Sequence, residues 1–172
     1  MAKRVESILR ATGLQASLLE LEVTESALQN EDGIVEILQA IKALGVGLAL
    51  DDFGSGYSSL GSIRLLPLDR LKIDRSFVRD LQQQEGDRSL IRAIIAMGRT
   101  LKLETIAEGV ETYSQFSFLR DEGCDEVQGF LLGKPMTAAD LDRYFPNRIA
   151  KDPGPALQLI HSTETEISRQ SK

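Results

Sequence analysis

Two hydrophobic periods take turns along this chain, and that alternation limits the architectures open to it. Val5, Ile8 and Leu9 fall at i, i+3 and i+4, the spacing of one helix face, and Gly13 closes the segment. Leu18 to Val23 switches to a period of two, with Leu19, Leu21 and Val23 on one side and Glu20 and Glu22 on the other. Helical spacing returns at Ile34, Ile37, Leu38, Ile41 and Leu44, and Gly45 ends it. Val46 to Leu50 is a compact apolar strand, stopped by Asp51-Asp52-Phe53-Gly54. Further strands are expected over Leu68–Ile73, Leu103–Glu108 and Glu126–Leu131. Helices are expected over Asp87–Leu101, Thr112–Glu122 with Gly123 at its end, and Ala138–Tyr144. Strands alternating with helices imply βαβ units on a parallel sheet. Right-handed crossovers place the helices outside if that sheet curls closed.

Past Pro146 the periodicity fades. Asp152-Pro153-Gly154-Pro155 and the stretch from Ser162 to Lys172 predict a poorly ordered polar tail over 147–172, after a domain over 1–146. A chain of 172 residues can bury a real core. It holds no run of about 20 apolar residues, so no helix is expected to span a membrane. The charged start Met1-Ala2-Lys3-Arg4 is unlike a secretory leader, and a cytoplasmic setting is expected. A single cysteine, Cys124, rules out an internal disulfide and reads as a small buried packing residue. The lone His161 rules out a histidine-rich metal site. A net charge of −6 with scattered basic residues argues against a nucleic-acid polymer as partner.

Two glycine motifs fail on inspection. Gly54-Ser55-Gly56 follows a strand, but Ser59 stands where a dinucleotide fingerprint needs its third glycine. Gly129 to Lys134 is one residue short of a P-loop, and Pro135 replaces the hydroxyl residue that would hold magnesium.

The informative acids stand at strand ends: Glu22, Asp51 and Asp52, Asp74, and Glu108 with Glu111 just beyond. The carboxyl ends of parallel strands share one rim, so acids scattered in sequence converge there. Clustered carboxylates raise one another's pKa unless a cation balances them. Oxygen donors without His or Cys favour magnesium, manganese or calcium over zinc. Lys72, two residues before Asp74, adds a positive group to the same rim. Each residue also has a plainer reading. Asp51-Asp52 suits a turn cap, and Lys72 suits a solvated strand edge. Glu22 with Glu25, and Glu108 with Glu111, suit helix starts, where acids favour the dipole.

Five segments, taken in order, resemble the EAL-domain cyclic di-GMP phosphodiesterases. Glu22-Val23-Thr24-Glu25-Ser26 is similar to the family's E-x-T-E-S, and Asp51 to Ser59 to its D-D-F-G-x-G-Y-S-S loop. Leu71 to Phe77, Ala107 to Glu111 and Gln128-Gly129-Phe130 follow in the family's order and spacing, within a resemblance covering Met1 to Phe145. The resemblance implies an α/β fold, a partial TIM-type (β/α)8 barrel retaining about five βα units. It implies hydrolysis of cyclic di-GMP to linear pGpG with two Mg2+ or Mn2+ ions, in bacterial second-messenger signalling. Carried over by motif, Glu22, Asp51 and Asp52 are metal ligands, with Asp51 bridging both ions. Lys72 positions the attacking water or stabilises phosphate charge, and Glu108 is the base. Glu111 supports the second metal or Lys72, Gln128 contacts metal-bound water or substrate, and Glu25 holds the Asp51–Ser59 loop.

The sequence departs from the family at its start. The Glu-x-Leu strand with its nearby arginine, and the strand bearing an asparagine ligand, have no counterpart in these residues. The expectation is therefore a truncated catalytic domain with weak or no activity alone. The alternative is an EAL-derived module for protein interaction or cyclic di-GMP sensing. Five strands leave two sheet edges open, so a homo-oligomer or union with an N-terminal part of the same domain is expected.

Overall fold

The computed structural model of the protein describes residues 1–30, 33–54, 63–79, 81 and 85–144. The chain divides into two compact units, Met1–Leu131 and Leu132–Lys172. The first contains α1 (Ala2–Thr12), a 3-10 turn (Ala16–Leu18), β1 (Glu20–Thr24), α2 (Glu25–Asn30), α3 (Ile34–Lys42) and β2 (Gly47–Phe53). It continues with β3 (Arg70–Ile73), α4 (Arg75–Arg79), α5 (Glu85–Leu101), β4 (Glu104–Ala107), α6 (Tyr113–Glu122) and β5 (Glu126–Val127). The second unit contributes α7 (Ala138–Tyr144).

All five strands run parallel in one sheet, in the order β1-β2-β3-β4-β5. Strand order follows chain order with no reversal, so the sheet is wound one way, as in a segment of a (β/α)8 barrel and unlike a doubly wound sheet. Leu48, Ala49 and Leu50 of β2 and Leu71 and Ile73 of β3 are wholly buried. Around them pack the helix residues spaced three and four apart in sequence: Leu38 and Ile41 of α3, Ile91, Ile94 and Ile95 of α5, Phe116 and Leu119 of α6. Gly98 is required on α5. A Cβ there would lie 2.5 Å from Thr105 Cγ2, so only glycine lets this helix settle against β4.

The local punctuation is as expected for α1 and α6. Gly13 (φ 70°) ends α1 with its N–H on the Leu9 carbonyl, and Gly123 (φ 76°) ends α6. Thr112 and Gln115 form a reciprocal capping box at the start of α6.

Several boundaries differ from the sequence reading. Ala16–Leu18 turns before β1 begins. Instead of stopping at Leu50, β2 runs through both aspartates to Phe53. Leu50 pairs with Leu71 and Phe53 with Ile73, so β2 carries one residue more than β3 across that step. Asp52 takes a left-handed φ of 56°, which aspartate tolerates better than most side chains. The fifth strand is only Glu126–Val127, because the chain beyond it folds back on Val110, with Val110 N–H on the Gln128 carbonyl and Leu131 N–H on the Val110 carbonyl. Helix α4 was unforeseen, being too short to show a period, and α2 appears only as the helix start considered for Glu25. The expected polar tail over 147–172, and the part of the Asp51–Ser59 loop from 55 on, lie outside the described residues. No helix among the described residues is long and apolar enough to cross a membrane.

The amino ends of the strands carry a charged clasp. Arg70, first residue of β3, pairs with Glu20 (3.4 Å), Glu104 (2.9 Å) and Glu126 (3.1 Å), the first residues of β1, β4 and β5. One guanidinium thereby ties four strands at the rim that in such barrels serves stability and not chemistry.

Candidate active site

Side chains two apart on a strand share a face, so the face that carries Arg70 at one rim carries Lys72 toward the other. Glu20 and Glu22 share a face of β1 in the same way. At the carboxyl rim the three central acids converge. Lys72 Nζ lies 2.6 Å from Glu22 Oε1, 2.9 Å from Asp51 Oδ1 and 2.7 Å from Glu108 Oε1. Glu22 comes from β1, Asp51 from β2 and Glu108 from the residue after β4, whose N–H bonds the Ile73 carbonyl of β3. The Lys72 side chain is only 7% exposed, whereas that of Glu22 is 50% exposed. Burial pushes the ammonium's pKa down, but hydrogen bonds to Glu108, Glu22 and Asp51 outweigh it and hold the group above its ordinary value. Lys72 is therefore a permanent cation inside the sheet and not a solvated edge residue.

A second pair of carboxylates meets beside the first group. Asp74 follows β3 and caps α4: its Oδ1 accepts from Ser76 N–H (2.9 Å) and from the Ser76 hydroxyl. Burial pushes the Asp74 carboxyl up, but the Ser76 bonds, the Arg75 N–H and the Arg75 charge outweigh it, and its pKa is lowered. Asp52 is hydrogen-bonded to Asp74 and has a raised pKa. Desolvation and the charges of Asp51 and Asp74 raise it against the pull of Lys72.

The remaining sequence candidates lie around this centre. Glu25 opens α2 and is buried. Glu111 is exposed, with its N–H held by Gln115 Oε1 at 2.8 Å. Gln128 is exposed, and its backbone is stitched to the same loop through Ala107 and Val110. Of the plainer readings, the helix start holds for Glu25 alone; Glu22 lies within β1, and α6 starts after Thr112. The Arg70 clasp escaped the sequence reading, although Glu20, Glu104 and Glu126 each open a strand.

The chemistry of these donors fits a hard divalent cation. All are oxygens, Asp51 Oδ1 is buried with only the Lys72 ammonium at 2.9 Å to balance it among the described residues, and Asp52 and Asp74 bring two carboxylates together. The set is incomplete in these residues: no three Asp, Glu, His or Cys side chains among the described residues are grouped to hold one ion.

A profile of the EAL domain matches residues 1–135. The chain belongs to the EAL domain family. This EAL domain is 47% identical over 145 residues to the cyclic di-GMP phosphodiesterase NbdA of Pseudomonas aeruginosa, covering 84% of this chain and 18% of that protein. It is 49% identical over 138 residues to the bifunctional diguanylate cyclase/cyclic di-GMP phosphodiesterase MucR of the same organism, covering 80% of this chain and 20% of MucR. The chain thus spans about a fifth of the length of these curated relatives. Among solved structures, the PaMucR phosphodiesterase in complex with cyclic di-GMP superposes with a TM-score of 0.77 at 48% identity, over 80% of this chain and 56% of that one. A manganese/cyclic di-GMP complex of Klebsiella pneumoniae BlrP1 gives 0.72 at 31% identity, over 77% of this chain and 34% of that one. The α/β reading holds: the parallel five-stranded sheet of this EAL domain is part of a TIM-type barrel.

Proposed function

We propose that this EAL domain takes part in metal-dependent hydrolysis of cyclic di-GMP to linear pGpG. The observation that carries the reading is the buried ammonium of Lys72 held by carboxylates from β1, from β2 and from the residue after β4. Arg70 also gathers three acids, but at the amino rim; a buried cation among acids at the carboxyl rim, where barrel active sites sit, suits a polyanionic substrate brought in with divalent ions.

In this reading Glu22, Asp51 and Asp52 would hold Mg2+ or Mn2+. Bound there, the metal supplies positive charge that offsets the substrate phosphate and favours deprotonation of water. Lys72 orients the attacking water or steadies charge on the phosphate. Glu108, 2.7 Å from Lys72, accepts the proton that the water loses. Glu111 supports Lys72 or the second ion, Gln128 reaches substrate or water, and Glu25 steadies the loop after Asp52. The proposed domain runs over 1–146 with a tail from 147, in a cytoplasmic setting. Among the described residues β1 has only β2 beside it, and Leu18 nearby is exposed, which supports self-association or union with further strands of the same fold.

The test is direct. The chain is titrated with cyclic di-GMP in the presence of Mn2+, and pGpG is followed by chromatography. We expect metal-dependent binding and slow pGpG formation that EDTA abolishes. Binding without product would mark the non-catalytic alternative, and neither binding nor product would overturn the proposal.

Asp52 offers a finer check. Its raised pKa means that ionising it opposes folding, so metal-free stability falls as pH rises through the range just above the ordinary carboxylate value. Asp52→Asn removes that charge and tolerates the same left-handed φ. We expect it to melt slightly higher than wild type at pH 7 without metal, yet to bind Mn2+ more weakly. A lower melting temperature without metal would contradict the placement of Asp52 against Asp74.

A further inference from the structure

We infer that Gln115 is a positioning residue that holds the Glu108–Glu111 turn in register with the Lys72–Asp74 strand end; the inference rests on the function proposed above. Gln115 is a polar side chain buried to 6% exposure, and all of its hydrogen-bonding capacity toward the site is spent on backbone. Its Oε1 accepts from Glu111 N–H at 2.8 Å and from Thr112 N–H at 2.9 Å. Its Nε2 donates to the Val78 carbonyl, in α4, at 3.0 Å. Helix α4 begins right after Asp74, and the turn begins right after β4. One amide therefore links two segments that deliver Lys72 with Asp74 on one side and Glu108 with Glu111 on the other.

Glu108 N–H reaches the Ile73 carbonyl, Val110 is tied to Gln128 and Leu131, and the Thr112 carbonyl accepts from Phe116, but the N–H groups of both Glu111 and Thr112 are held by Gln115. Close packing adds a reason for a rigid link. Gly109 has φ 68°, and a Cβ on it would lie 2.7 Å from Arg75 Cβ, so the turn lies hard against the start of α4. A slip between the two segments would move Glu108 away from Lys72. A capping residue for α6 alone would need only the Thr112 N–H; the bonds to Glu111 and Val78 serve the site.

Three variants separate positioning from stability. Thr112→Ala removes the N-cap hydroxyl but leaves every Gln115 bond to backbone. Gln115→Leu removes all three bonds. Gln115→Glu keeps the acceptor for both N–H groups and loses the donor to Val78. Melting temperature, Mn2+-dependent affinity for cyclic di-GMP, pGpG formation and amide exchange at Glu111 and Thr112 are measured on the full chain. We expect Thr112→Ala to melt lower with unchanged affinity. Gln115→Leu should lose about 10- to 100-fold in affinity or turnover, the usual effect of removing an outer-shell partner, with Glu111 and Thr112 exchanging faster than Phe116. Gln115→Glu should restore part of both losses. Affinity and turnover in Gln115→Leu no worse than in Thr112→Ala would overturn the inference. If wild type binds no cyclic di-GMP, the functional proposal fails, and exchange then decides: unaltered Glu111 and Thr112 in Gln115→Leu would overturn the link itself.

Discussion

Lys72→Met is expected to be the most damaging single substitution at the site. The wild-type ammonium has given up most of its water, and three carboxylates replace it at 2.6, 2.9 and 2.7 Å. Removing the cation leaves those acids facing one another. A fully buried pair broken from one side costs about 3–5 kcal/mol. Water reaches Glu22, which is half exposed, and screens part of this, so about 2–3 kcal/mol is the expectation here. Loss of a charge aimed at developing negative charge lowers turnover by about 10²–10³-fold on top of the stability loss. The pH dependence carries the sign. Lys72 has a raised pKa in the folded chain, so its contribution is whole below the ordinary lysine value of about 10.4 and fades as pH climbs through the folded value. The melting-temperature gap between wild type and Lys72→Met should be flat from pH 7 to about pH 10 and close above it. Equal melting temperatures at pH 7 would show that the three contacts are not formed.

The parts of this fold that repeat were legible in the sequence. Each of the five strands stands where a short apolar run predicted one, and α1, α3, α5 and α6 follow the residues spaced three and four apart. Local signals end where a partner decides the outcome. Nothing in Asp51-Asp52-Phe53 announces that β2 outruns β3 by a residue, because the slip belongs to the pair. Helix α4 spans five residues and owes its start to Asp74 accepting from Ser76, a cap the apolar pattern does not encode. The strand-end acids were visible, and Glu22, Asp51 and Glu108 do gather on Lys72; Glu111 and Gln128 stand exposed beside them. At the other rim, Glu20, Glu104 and Glu126 each open a strand, and only parallel pairing sets them around Arg70. The helix over Thr112–Glu122 is expected from the sequence, but its capping box and the bond from Gln115 to Val78, 37 residues upstream, appear only in the structure.

Gly129→Ala is expected to destabilise the fold more than Gly13→Ala, for a reason that involves no backbone strain. Gly129 lacks the positive φ of Gly13 or Gly123. A Cβ on it would instead lie 2.2 Å from the Val110 carbonyl oxygen and 2.3 Å from the Val110 nitrogen. Both are backbone atoms with no rotamer to escape into, so the two segments must part. Val110 N–H bonds the Gln128 carbonyl and Leu131 N–H bonds the Val110 carbonyl, and both bonds lengthen when they do. Overpacking of this kind costs about 1–3 kcal/mol, and each weakened hydrogen bond adds about 1. Gly13→Ala provides the contrast. It has a φ of 70° but nothing within 4 Å of its Cβ position, so only the left-handed penalty of about 1–2 kcal/mol applies. Thermal melts of the two variants should rank Gly129→Ala clearly below Gly13→Ala. The same displacement carries Gln128 and the Glu108–Glu111 turn with it, so Gly129→Ala should also weaken cyclic di-GMP binding, whereas Gly13→Ala should not. A Gly129→Ala chain that melts no lower than Gly13→Ala would mean that Val110 and Gly129 are not in contact, and the link between β5 and the Glu108 turn would fall with it.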